Sequence, residues 1–285
     1  MDGKSSMIEG DIPGPKILLI GPTGTGKTHA LGTLVDWAQA HNKEVFALFT
    51  EASVDVLLGY WRDSGKEVPP CLHWHSAYTK PIDLTALIKG ADNVGKMSYE
   101  VLTKMSDPDR AKNNAFFKIL SACSDFPDDR SGKKFGSLDS FGPDKIFMLD
   151  SLSELANAAF KMVIGSKPTA SMPDYMVAQN NLMNFIRLLT QGVRCTVAVT
   201  GHVSREKDEI TGGTKLTVMS IGSALSTQIP PLFSEVIMTN REGDKFTWDT
   251  ATFGADLKTR SLGYRSKIEP DFAQIMDTWI KRGGK

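Results

Sequence analysis

Gly21-Pro22-Thr23-Gly24-Thr25-Gly26-Lys27-Thr28 matches the pattern G-x-x-x-x-G-K-[ST] without departure. Before it, behind Pro15, the apolar run Lys16-Ile17-Leu18-Leu19-Ile20 reads as a buried strand. After it, Leu31, Leu34, Val35 and Ala38 recur at the spacing of one helix face. Strand, glycine loop and helix N-terminus together make an anion site. Loop N–H groups surround phosphate oxygens, and the helix dipole adds positive potential. Contacts to a nucleotide are expected from Gly21 through His29, with Lys27 reaching the β/γ-phosphates and Thr28 ligating Mg²⁺. A plain glycine turn would explain neither the Lys-Thr pair nor its flanks.

Composition limits what surrounds this loop. The 285 residues are 41% hydrophobic, enough for a sizeable core, and one α/β domain is the better reading. It spans 15–285, behind a flexible tail at 1–14. No apolar run nears the roughly 18 residues of a membrane span, so no membrane partner is expected. The N-terminus lacks a signal-peptide pattern. The three cysteines have no ligand spacing and fit a reduced cytoplasmic setting. Net charge is zero, so any nucleic-acid surface must be a local stripe.

Two carboxylates complete the expected chemistry. Lys145-Ile-Phe-Met-Leu-Asp150 reads as a buried strand with Asp150 at its C-terminal end, where ligands bind in parallel sheets. There Asp150 can hold the Mg²⁺ shell, as Walker-B acids do; helix capping, shared with Ser151 or Ser153, is the other reading. The residue after Asp150 is Ser rather than the Glu of many ATPases. A substitute ends the second strand, Glu44-Val-Phe-Ala-Leu-Phe-Thr-Glu51, where Glu51 can orient the attacking water. Its alternative is a place beside a helix N-cap at Ser53.

P-loop, strand-end Glu51 and Walker-B Asp150 resemble the RecA-like ATPase core. The strand that reaches Thr200-Gly201-His202-Val203 is similar to the one ending in Gly-His-Val in RadA-like and KaiC-like proteins. The resemblance implies that His202 senses the γ-phosphate, with Thr200 beside it. Lys258-Thr-Arg260 resembles the Lys-x-Arg element that reaches a neighbouring subunit's nucleotide, which implies a homo-oligomer, ring or filament, with Lys258 and Arg260 acting in trans. Residues 15–272 resemble phage-encoded, Sak-type single-strand-annealing ATPases. That implies ATP and Mg²⁺ as cofactors, single-stranded DNA as partner, a role in recombination, repair or annealing in the host cytoplasm, and contact with a single-strand-binding protein.

The resemblance also places DNA on two loops. One, at about 161–173, carries Lys161 and Lys167; the other, at about 204–223, carries Arg205, Lys207 and Lys215. Acidic neighbours dilute these cations and neither loop has an aromatic residue for base stacking. The expected architecture is a mostly parallel twisted sheet with helices on both faces. A further strand is expected within 71–78, with His73 and His75 as structural residues, and a hairpin of edge strands at 236–249. An apolar-striped helix should follow Pro270. The polar stretch at 121–142 reads as a mobile insertion inside a longer departure at 84–143. A second function class is a switch of the same core acting on a protein through that insertion. A small-molecule phosphotransferase would need an arginine-rich lid that the sequence lacks.

Overall fold

The computed structural model describes residues 12–78, 84–98, 100–101, 114–165, 169–207 and 212–285. Nine strands are described: β1 (Lys16–Ile20), β2 (Glu44–Phe49), β3 (Leu72–Ser76), β4 (Lys145–Asp150), β5 (Thr196–Gly201), β6 (Val203–Lys207), β7 (Thr214–Val218), β8 (Glu235–Glu242) and β9 (Lys245–Asp249). The α-helices with described bounds are α1 (Lys27–Ala40), α2 (Val54–Arg62), α3 (Leu84–Gly95), α4 (Ala115–Ser124), α5 (Leu152–Ile164), α6 (Met172–Arg187), α7 (Gly222–Gln228) and α8 (Ala273–Lys281). Seven strands form one mixed sheet in the order β3-β2-β4-β5-β1-β8-β9, parallel except for β9.

Continuous apolar runs make these strands because both sheet faces are covered. Successive side chains point to opposite faces, so each strand feeds two cores. Ile17, Leu19, Val45, Ala47, Ile146 and Met148 meet α1, α2 and α8 on one side. Leu18, Ile20, Phe46, Leu48, Phe147 and Leu149 meet α4, α5 and α6 on the other. Each fully buried Leu, Ile or Phe contributes about 1.5–3 kcal/mol relative to exposure. The parallel register brings the ends of β1, β2, β4 and β5 to a single sheet edge. Four short connections can therefore supply one site.

Several expectations are refined. The helix after Pro270 buries Ile275, Met276 and Trp279 beside Phe272. The hairpin at 235–249 forms, but only β9 is an edge strand. β8 lies inside the sheet, paired with β1. Residues 1–11 of the expected flexible tail lie outside the described residues. Its last member, Gly14, is buried and donates to the Arg194 carbonyl at 2.9 Å.

The stretch at 121–142, expected as a mobile insertion, is tied to the body of the domain. Phe126, Leu138 and Phe141 are buried, and Phe46 meets the rings of Phe126 and Phe141 at 5.3 and 4.6 Å. Its acids cover the free edge of β3. Asp129 donates its N–H to the Trp74 carbonyl at 2.8 Å and accepts from the Ser76 N–H at 2.8 Å. Asp128 accepts from the Trp74 N–H at 3.2 Å and meets His73 Nδ1 at 3.2 Å, while His75 Nδ1 meets Asp129 at 2.8 Å. Charge composition suggested solvation, but these charges occupy the hydrogen-bonding groups of an otherwise open strand edge. Each of the two histidines thus meets an aspartate carboxylate. Among the described residues, no group of three or more His, Cys, Asp or Glu is placed to hold a metal ion.

Burial would raise the Asp128 carboxyl pKa, but hydrogen bonds from Ser131, Arg130 N–H, His73 and Trp74 N–H hold it below the usual range. A depressed carboxylate stabilises the fold above its unfolded pKa and loses that contribution as pH falls through the folded one. Asp128→Asn is expected to cost about 1–3 kcal/mol at neutral pH. In urea titrations, the gap from wild type should narrow as pH drops below the ordinary carboxylate range.

Candidate active site

The glycine loop fits its place sterically. Gly24 and Gly26 have φ of 76° and 79°, a left-handed conformation that strains any residue with a Cβ. Gly21 permits close approach to β8, since a Cβ there would lie 2.1 Å from Thr239 Oγ1. Thr25 braces the loop, donating to the Pro22 carbonyl at 2.8 Å and meeting Thr239 Oγ1 at 2.6 Å. Pro22, Thr23 and Gly24 are exposed at the rim. Helix α1 begins after Gly26 without a side-chain cap, so no side chain claims its first N–H groups.

Lys27 lies across the loop, donating to the carbonyls of Gly21 at 2.9 Å and Pro22 at 2.7 Å. Burial pushes its ammonium pKa down, against the opposing pull of Asp150 and Glu51. His29 packs edge-on to Tyr60 at 4.9 Å, with Phe246 at 6.2 Å.

Asp150 is buried at the end of β4 and gathers three hydroxyls. Its Oδ2 accepts from Thr28 and Ser53, both at 2.8 Å, and its Oδ1 accepts from Thr200. Ser53 thus serves the carboxylate, and its side chain does not cap α2. Ser151 does cap α5, accepting from the Glu154 N–H, and its own hydroxyl donates to Glu51 Oε1. The Asp150–Ser151 peptide is cis. Thr50 locks this corner, donating to the Ser151 carbonyl at 2.9 Å and accepting from the Ser151 N–H at 2.8 Å.

Glu51 stands where the sequence places it, 3.7 Å from His202 Nε2. His202 is fixed through its main chain: its N–H donates to Ser153 Oγ at 2.9 Å, and its carbonyl accepts from Met219 at 2.8 Å. Thr50, Glu51, Tyr78, Asn157, Lys161 and His202 border a cavity of about 370 Å³. A second cavity, about 780 Å³, opens between the loop rim and Asn240, Arg241, Thr247, Asp249 and Lys267.

Compared with protein-family models and with curated proteins, the chain gives no match.

Of the other expected residues, Lys161 borders the same cavity as Glu51 and His202, and the rest that are described lie apart from it. Lys258 pairs with Val236 and donates to the Pro231 carbonyl at 3.2 Å, and Arg260 is exposed while its N–H meets Glu235 at 3.1 Å. Glu235 begins β8, whereas Met238 pairs with Ile20 beside the loop. At strand rise the pair sits about 10 Å below the loop edge. Lys161 lies in the last turn of α5, where the sequence suggests loop, and Lys167 lies outside the described residues. Arg205 and Lys207 are exposed on β6, while Lys215 on β7 is ion-paired with Asp256 at 2.6 Å.

Thr50, Ser53 and Ser151 are the contributors that the sequence undervalues. Their signal is faint: hydroxyls beside carboxylates at two strand ends. Thr200→Val is expected to destabilise the fold by about 1–3 kcal/mol in urea titration, because it strips a buried bond from Asp150. Ser53→Ala should cost less, since water reaches that half-buried position.

Proposed function

We propose that this chain is a Mg²⁺-dependent, RecA-like ATPase that acts on single-stranded DNA as a homo-oligomer in the cytoplasm. The meeting of Thr28 Oγ1 and Asp150 Oδ2 at 2.8 Å, beneath a loop with uncapped N–H groups, carries the ATPase reading. A mostly parallel α/β sheet with the loop at its C-terminal edge is compatible with that core. Among the described residues, no helix is long and apolar enough to cross a membrane.

The residues present fit Mg²⁺. The ion takes one or two protein oxygens and fills its octahedron with phosphate and water, so one hydroxyl and one carboxylate suffice. Thr28 and Asp150 would hold it, and when bound it would neutralise charge on the β- and γ-phosphate oxygens.

The protein's own groups supply the remaining functions. N–H groups from Gly24 to Thr28 bind the phosphates, and Lys27 exchanges its two loop carbonyls for phosphate oxygens. Glu51 orients a water and accepts its proton as the water's oxygen attacks the γ-phosphorus and the bond to ADP breaks. Ser151 and His202 fix the Glu51 carboxylate. Lys258 and Arg260, distant from their own loop, would serve a neighbour's site, where an arginine raises turnover. His202 also links the site to the β6–β7 hairpin through Met219, a direct path from the γ-phosphate position to Arg205 and Lys207. The DNA reading rests on that link and those exposed cations.

A second reading, a switch acting on a protein, draws on exposed Leu84, Ile88 and Phe117 in α3 and α4. It predicts hydrolysis indifferent to DNA.

Steady-state ATP hydrolysis with and without oligothymidine separates the two. Stimulation that fades with added salt is expected, since salt competes for phosphate contacts; unaltered hydrolysis would favour the protein-directed switch. Lys27→Ala should abolish nucleotide binding or turnover. Glu51→Gln should retain ATP binding while slowing hydrolysis by about 10²–10⁴-fold, the usual range for a general base. Lost binding in Glu51→Gln would make the residue structural.

A further inference from the structure

The 204–223 region contains no aromatic residue, yet the fold brings one to it. Residues 254–256 lie alongside β7: Leu216 donates its N–H to the Gly254 carbonyl at 2.6 Å, and Leu216 and Ala255 form a parallel bridge. Lys215 and Asp256 close the same seam at 2.6 Å. Gly254 has φ of 75°, and a Cβ there would approach the Thr214 carbonyl at 3.0 Å, so the chain turns sharply at this glycine. Just before it stands Phe253, whose relative exposure is 103%. A benzyl group held entirely in water on a hydrogen-bonded loop has no packing role in the monomer.

Register places its neighbours. Ala255 bridges Leu216, and Gly254, the residue after Phe253, lies against the Thr214 carbonyl; Thr214 pairs with Lys207 on β6. One strand spacing, about 5 Å, separates Thr214 from Lys207. Arg205 pairs with Leu216 in the next row on the same face of the hairpin. Arg205 and Lys207 are exposed. Among the described residues, the acids nearby are Glu206, opposite Lys215 in the ladder, and Asp256, bonded to Lys215; Asp208 and Glu209 follow Lys207 in the sequence.

Resting on the DNA reading above, we propose that Phe253 is a base-stacking platform for single-stranded DNA, with Arg205 and Lys207 holding the adjoining phosphates. Cations alone track a backbone and retain duplex or single strand alike. An aromatic face beside them selects unpaired bases, and it tolerates any sequence because every base has a π-face. Phe253 thereby supplies what the expected DNA loops lack. A second copy of the chain is the competing occupant of an exposed phenyl group. The adjacent exposed cations favour the polyanion.

The test uses the full-length chain, 5′-labelled oligothymidine, and an abasic strand of equal length, with anisotropy read at several salt concentrations. Phe253→Ala should weaken oligothymidine binding by about tenfold or more, the loss of one base stack. It should leave abasic-strand binding and the sedimentation profile unchanged, and Phe253→Trp should restore affinity. Arg205→Ala with Lys207→Ala should weaken both strands and flatten the salt dependence. Unchanged oligothymidine binding by Phe253→Ala would overturn the platform while leaving the DNA reading intact. Equal losses on both strands, or altered sedimentation, would also overturn it and make Phe253 a subunit contact. Failure of the wild-type chain to bind either strand would overturn both the platform and the DNA reading.

Discussion

A single buried carboxylate organises one edge of this protein's sheet. Asp150 ends β4 and receives hydroxyls from Thr28 at the start of α1, Ser53 ahead of α2, and Thr200 in β5. Burying a carboxylate costs several kcal/mol unless its lone pairs are satisfied, so these donors are a condition of its place there. The three donors belong to different segments: the connections into α1 and α2, and strand β5. Meeting the needs of one side chain therefore fixes the relative height of the glycine loop, the Glu51 corner and the end of β5. The stability of the edge and the geometry of the candidate site come from the same bonds.

Around that centre the polar groups form two tiers. Asp150 and Thr28 lie below the glycine loop. Glu51, Ser151 and His202 lie to one side, over a cavity that also reaches Lys161. The parallel sheet makes this possible because all its strands deliver their C-terminal ends to one edge. Thr50, bonded twice to Ser151, holds the two tiers at a constant offset. The single residue His202 then joins this edge to the β6–β7 hairpin, so a shift at Glu51 has a short covalent and hydrogen-bonded route to the exposed cations.

The opposite end of the sheet shows how a polar segment becomes part of a fold. Asp128 and Asp129 occupy the open hydrogen-bonding edge of β3, while Phe126, Leu138 and Phe141 enter the core beneath. Read as composition, the segment has the charge of a solvated loop. Its apolar residues are too irregularly spaced to signal a helix or strand, and the value of its acids depends on partners some 50 residues earlier in the chain. Local periodicity is blind to both.

The sequence by itself determined the strand–loop–helix at 16–40, the buried strands that lead to Glu51, Asp150 and Gly201, and the helix over Ile275 and Trp279. These are local patterns: a helix face, an unbroken apolar run, or glycines at positive φ. Tertiary structure alone decided that Ser53 serves Asp150 in preference to its own helix, that Ser151 binds Glu51, that β8 is interior, and that Phe253 stands beside β7. The reason is physical. A hydroxyl has several possible partners within reach of its own backbone, and an exposed ring has none. Only the three-dimensional arrangement of distant segments selects which bond forms and which face remains open to water.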